Sequence, residues 1–118
     1  MTYIDDFVFP LQKKNLAKYR KMAALGCKLW MKHGALQFVE TVGDDLDVQG
    51  GLLPFPKGIK IKPAETVVFS FIVYKSKAHR KQVMAAVNKD PAAAEMIKDM
   101  PFDKKRMMCG GFKTLVSS

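Results

Sequence analysis

No acidic residue occurs between Gln12 and Val39, a stretch that holds seven cations: Lys13, Lys14, Lys18, Arg20, Lys21, Lys28 and Lys32. Cysteine is nearly as scarce. Cys27 and Cys109 are the only two, they form no C-x-x-C pair, and free thiols in a reducing compartment are expected. Together with His33 and His79 they show none of the ligand spacings of zinc sites, so no metal and no cofactor is expected. Long apolar runs are missing too: nothing approaches the roughly 18 residues that a membrane-spanning helix needs, and no membrane partner is expected. The opening MTYIDDFVF has two acids where a secretion signal would carry basic charge, which points to a cytoplasmic protein. G-x-S-x-G, P-loop and dinucleotide fingerprints are absent, and Asp90-Pro91 reads as a helix start rather than a phosphate cradle. Nothing in the chain activates a nucleophile, so the residues name no reaction and leave enzyme status open.

What is present is enough for a core. With 118 residues, 48% of them hydrophobic and eight of them Phe, the chain is expected to form one α+β domain over residues 1–118. A monomer of this size still leaves roughly a third of its unfolded-chain surface in water, so an apolar surface used for pairing is a natural expectation. The net charge of +9 is uneven, with acids gathered at Asp44, Asp45 and Asp47. Clustered cations can mark a phosphate-rich partner through counterion release. They are also what any amphipathic surface helix presents to solvent.

The segment Lys13 to His33 carries the clearest helical period. Leu16, Tyr19, Ala23, Gly26, Trp30 and His33 recur at steps of three and four, widened by Met22 and Leu29. Lys14, Lys18, Lys21, Lys28 and Lys32 fall on the opposite side and form the candidate polyanion face; a solvated face is the plainer reading. His33 followed by Gly34 reads as a C-cap rather than a metal ligand. TYIDDFVF (2–9) and ALQFVETV (35–42) suit strands, as does TVVFSFIVY (66–74), on which Thr66, Ser70 and Tyr74 share a face. Residues 43 to 58 concentrate acids, glycines and prolines and read as a loop. Ser76 predicts a helix over about Lys77 to Asn88, and Asp90-Pro91 a second over Ala92 to Asp99. Pro101 stops that helix, residues 106 to 115 read as a last strand, and Gly110-Gly111 predicts a bulge or a close backbone approach.

The order β-α-β, loop, β-α-α-β is the ferredoxin-like split βαβ plan, with helices on one face of an antiparallel sheet. The apolar strand residues supply both faces of that sheet, so its other face needs a cover. A second copy of the chain would provide it, and a homodimer is expected.

YIDDFVFP, KYRKMA, HGALQFVETVGDD, KPAETVVFSFIVYKSKAHR, the DP at residues 90 and 91, and MPFDKKRMMCGGF together resemble the YbaA-like family of small bacterial proteins, known as domain of unknown function 1428. The resemblance runs over nearly the whole chain. It implies a dimeric α+β barrel, in which two ferredoxin-like sheets close into one barrel, and brings no established reaction. Asp6, Lys104 and Cys109 stand where that family usually has Gly, Gly and Tyr, and QGGLL adds loop length.

Barrels of this superfamily resemble one another in enclosing a cavity between sheet and helices. Asp5, Glu40, Ser70, Tyr74 and Arg106 are the candidate pocket residues, since all are polar and lie on predicted strands. The plainer reading pairs Asp5 or Glu40 with Arg106 in an ion pair that fixes strand register. Three functional readings follow: a barrel that binds or acts on a small molecule, an RNA-associated basic protein using the lysine face, and a structural or regulatory dimer without a ligand. Strand aromatics that look buried offer no stacking platform, so nucleic-acid binding is expected to be weak and non-specific at most.

Overall fold

Alternation of period two and helical stripes of period three to four build two layers, and the computed structural model describes them over residues 1–118. The chain runs β1 (Tyr3–Gln12), a 3-10 turn (Lys13–Asn15), α1 (Leu16–Lys32), β2 (Gln37–Val42), α2 (Phe55–Gly58), β3 (Glu65–Tyr74), α3 (Lys77–Lys89), α4 (Pro91–Ile97), a second 3-10 turn (Lys104–Arg106) and β4 (Met108–Lys113). The strands form one antiparallel sheet in the order β2-β3-β1-β4, the ferredoxin-like arrangement the element order predicts. No helix is long and apolar enough to cross a membrane.

Local chemistry sets the boundaries. The Ser76 hydroxyl accepts the His79 N–H at 3.1 Å and starts α3, while an Asp90 carboxylate oxygen accepts the Ala92 N–H at 3.0 Å and starts α4. Gly34, at φ +104°, turns the chain out of α1 after the His33 cap. β1 runs beyond its predicted end and through Pro10. It can do so because β4 pairs with β1 only as far as Val8, so Pro10 lies where β1 has a single neighbour. β4 begins later than predicted: the Asp103 carboxylate accepts the Lys105 N–H at 3.0 Å and holds residues 104–106 in the 3-10 turn. Gly110 and Gly111 pair with Asp6 and Asp5 in unbroken register, so no bulge forms there. The close approach is real instead: a Cβ at Gly111 would lie 2.5 Å from the Tyr3 hydroxyl. α2 sits inside the predicted loop, and its Phe55 ring stands 6.5 Å from that of Phe69.

Register decides which residues meet the helices. Tyr74, Ile72, Ser70 and Val68 pair with Tyr3, Asp5, Phe7 and Phe9, so these share the covered face with Phe38 and Glu40 of β2. The buried residues there fall into two clusters. One gathers Leu29, Ala35, Ile72, Tyr74, Val83 and Val87 under the C-terminal half of α1 and α3; the other gathers Phe9, Leu11, Tyr19 and Val68. The opposite sheet face is covered at one end only, where α2 sets Phe55 against Phe69 and Val67 is buried; the rest has no covering layer. It presents Val8, Val39, Phe69, Phe71, Met108 and Phe112, with Phe112 57% and Met108 52% exposed.

Candidate functional site

Between the two core clusters lies a cavity of about 200 Å³. α1 supplies one wall through the predicted stripe, with Tyr19, Ala23, Gly26 and Trp30 at steps of three and four and Met22 beside them. Gly26 lets the walls approach closely, since a Cβ would lie 3.2 Å from Met96 Sδ and 3.4 Å from Phe38 Cζ and would press the methionine aside by a few tenths of an ångström. Phe7, Phe9, Phe38 and Ile72 form the sheet wall, while Met96, Met100, Phe102 and Met107 close the space from α4 and the chain leading to β4. Fourteen of the 17 lining residues are hydrophobic, and Glu40 is the one charged residue among them.

Glu40 is not isolated. The Tyr19 hydroxyl donates to Glu40 Oε1 at 2.6 Å, and Ser70 is the cross-strand partner of Glu40. Burial raises the Glu40 carboxyl above its ordinary value, and the Tyr19 and Ser70 hydroxyls partly offset this by favouring the ionised form. Burial, then the neighbouring carboxylate, pushes the Tyr19 hydroxyl strongly upward and keeps it a donor. The arrangement is a carboxylate with oriented hydroxyls at the edge of an apolar space. It can accept a hydrogen bond from a guest and can hold a proton there.

The predicted pocket residues divide. Asp5, Glu40, Ser70 and Tyr74 share the helix-covered face, and Glu40 and Ser70 line the cavity. Asp5 and Tyr74 form a separate cluster. There Trp30 Nε1 donates to the Tyr74 hydroxyl at 3.1 Å, and burial, then the Asp5 charge, pushes that hydroxyl strongly upward. Arg106 joins neither group: its Nη1 donates to Glu65 Oε2 at 2.6 Å and its Nη2 to the Lys60 carbonyl at 3.1 Å. The expected pairing of Arg106 with Asp5 or Glu40 is therefore replaced by two other pairs. Since Met108 opposes Val8, Arg106 sits near the Gln12 end of β1, where Glu65 is the carboxylate at hand. Asp5, at the other end, instead accepts from Arg80 Nε of α3 at 2.8 Å. The Arg80 guanidinium also lies 5.6 Å from the centre of the Tyr3 ring.

Tyr19 carries no local mark of a polar site residue because it sits in the middle of an apolar stripe. The available signal was its hydroxyl, which needs a partner when buried. Met96, Met100, Phe102 and Met107 carry no local signal of a pocket, because an apolar side chain reads alike whether it fills a core or lines a space.

All five lysines of the candidate polyanion face are exposed. Two are engaged: Lys18 bonds Asp99 at 2.6 Å and Lys32 bonds Asp90 at 2.9 Å, where His33 Nε2 also approaches the same carboxylate oxygen at 2.8 Å. These contacts tie α1 to both ends of the segment that covers the cavity. Lys14, Lys21 and Lys28 have no carboxylate partner. No three His, Cys, Asp or Glu side chains come together in a way that could hold a metal ion.

The fold and the cavity under its helices define a ferredoxin-like α+β protein. Solved structures agree on the fold: the chain is similar to a dimeric ferredoxin-like protein from an uncultured marine organism, at 11% identity and TM-score 0.57 over 99% of this chain and 98% of that one. It is also similar to Rv0793 from Mycobacterium tuberculosis, at 8% identity and TM-score 0.61 over 100% and 99% of the two chains. By sequence, the chain belongs to the protein family of unknown function DUF1428, whose model matches residues 2–104. It is 37% identical over 116 residues to the uncharacterized protein YbaA of Escherichia coli K12, covering 98% of each chain, and equally so to the YbaA of Shigella flexneri.

Proposed function

We propose that the protein works as a homodimer of single ferredoxin-like domains, joined through their open sheet faces, and that each protomer binds a small molecule in the cavity beneath its helices. The observation that carries this reading is the cavity: a carboxylate with bound hydroxyls faces an apolar space that the two core clusters leave unfilled. Pockets that are mostly apolar with a few convergent polar groups are where small ligands bind. The dimer is supported by the uncovered apolar face and by the marine neighbour, which is itself described as dimeric.

RNA association is the weaker reading. Phe69 and Phe112 are exposed on the open face, contrary to the expectation that the strand aromatics are buried, so a stacking platform exists. Asp6 and Glu65, however, are the only charged side chains the strands place on that face; both are acids, and Arg106, the cation beside Glu65, is already paired with it. The lysines of α1 point away from the sheet on the opposite layer. A single strand of RNA needs aromatics and cations in one groove.

Light scattering at micromolar concentration tests the dimer. A mass near twice 13.2 kDa is expected, and Phe69→Lys should return the monomer. A wild-type monomer would refute the pairing. For the cavity, a thermal-shift screen of small apolar fragments should find compounds that protect the wild type and not Ala23→Phe, which fills the space. Protection of neither protein by any compound would favour a ligand-free structural dimer.

A further inference from the structure

We infer that the cavity selects a one-ring apolar molecule that carries a hydrogen-bond donor and is neutral or cationic, and that it rejects the corresponding acids; this rests on the ligand-binding reading above. Size sets the first limit. A cavity of about 150 Å³ accepts benzene, so the about 200 Å³ present here has room for one ring and a short substituent. The walls suit such a guest: Phe7, Phe9, Trp30, Phe38 and Phe102 offer ring faces and edges, and the methionine side chains of the cover adapt to its outline.

Charge sets the second limit. Glu40 is the only charged side chain in the wall, and no lysine or arginine lines the space to neutralise an incoming anion. An ionised carboxylate has about four lone-pair sites. Tyr19 and Ser70 supply at most two donors, so capacity remains for an O–H or N–H brought by the guest. A second carboxylate would meet Glu40 in a region of reduced dielectric, where like charges cannot both stay ionised without penalty. An acid is thus admitted only if one of the two groups takes up a proton. Burial already disfavours the charge on Glu40, so a guest that donates to it relieves a cost that an anionic guest would increase.

Trp30 is the only tryptophan and lines the cavity, so its fluorescence reports occupancy without a label. The probes are benzyl alcohol, benzylamine, benzoate and toluene, matched in size, titrated at pH 8 into the 118-residue protein. Benzyl alcohol and benzylamine should change Trp30 emission saturably, and benzoate should bind at least about a hundredfold more weakly. Glu40→Gln keeps the size and an acceptor for Tyr19 and removes the charge; in it the gap between benzyl alcohol and benzoate should shrink to within about tenfold. Ala23→Phe should abolish every response. Benzoate binding to the wild type within tenfold of benzyl alcohol overturns the inference, as does a response that survives Ala23→Phe. Toluene binding as well as benzyl alcohol would show that no donor is read, which refutes the selectivity and leaves the cavity reading standing. Silence from all four probes refutes both.

Discussion

Replacing Arg80 with Met removes the guanidinium that holds Asp5 and stands over the Tyr3 ring, and keeps an unbranched apolar side chain in its place. The Asp5 side chain is 7% exposed and that of Arg80 25%, with Nε 2.8 Å from Oδ1. Deleting one partner of a fully buried ion pair costs about 3–5 kcal/mol, because the remaining charge is stranded away from water. Here the exposed part of Arg80 marks a route by which water reaches the site, and the Tyr74 hydroxyl stays close to Asp5. The expected loss is therefore about 2–3 kcal/mol. With a urea slope of about 1–3 kcal/mol/M, the denaturation midpoint should fall by roughly 1–2 M. Circular dichroism at one fixed protein concentration is the assay, since any self-association makes the midpoint depend on concentration. Asp5→Asn alone should cost less, and the double variant should be better than the sum of the singles by about 1–2 kcal/mol, as coupled neighbours are. Strict additivity, or a midpoint within 0.3 M of wild type on the order of measurement error, would mean that the pair carries no stability and that α3 is held by its buried Val83 and Val87 alone.

Asp90 is held well below its ordinary 3.8 by His33, by the Ala92 N–H and by Lys32. A depressed carboxyl contributes stability that is complete above 3.8 and lost as pH falls through the folded-state value, so wild type should weaken below about pH 4. Asp90→Asn keeps the helix cap but not the titration, and its stability should decline less steeply there; parallel curves would refute the assignment. Glu40 and Asp6, both raised chiefly by burial, act with the opposite sign and are common to both proteins. RNA binding, if measured by anisotropy at physiological salt, should be no tighter than about 10⁻⁶ M, independent of sequence and abolished by Lys21→Gln with Lys28→Gln. Nanomolar, sequence-selective binding would reverse the ranking of functions.

Much of this architecture can be read from local patterns, and what escapes them is long-range. The α1 stripe, the caps at Ser76 and Asp90 and the turn at Gly34 each rest on residues within a few positions of one another, so spacing alone reveals them. That Asp5, Glu40, Ser70 and Tyr74 share a face depends on strand pairing, where a one-residue slip would send any of them to the other side. The partners of Arg80 and Arg106 depend on the same register plus the placement of α3, and no local rule chooses between Asp5 and Glu65. Tyr19 and Glu40 are 21 positions apart, on a helix and an edge strand, and only packing joins them. The exposure of Phe69 and Phe112 was hidden because an apolar strand reads alike whether its second face meets a helix, another chain or water.

The unfilled space between the two core clusters also fixes where this fold keeps its reserve of stability. Cavities in protein cores cost about 24 cal/mol per Å³ in lost packing, so a fully dry space of about 200 Å³ would represent on the order of 5 kcal/mol. Water entering a partly open cavity recovers some of that. The remainder is still comparable with the net stability of an average domain, about 5–15 kcal/mol. A chain that leaves such a volume between Phe9 and Ile72 folds below its achievable maximum, and whatever enters tightens both halves of the core together. Its melting temperature is then a property of what surrounds it as much as of its sequence.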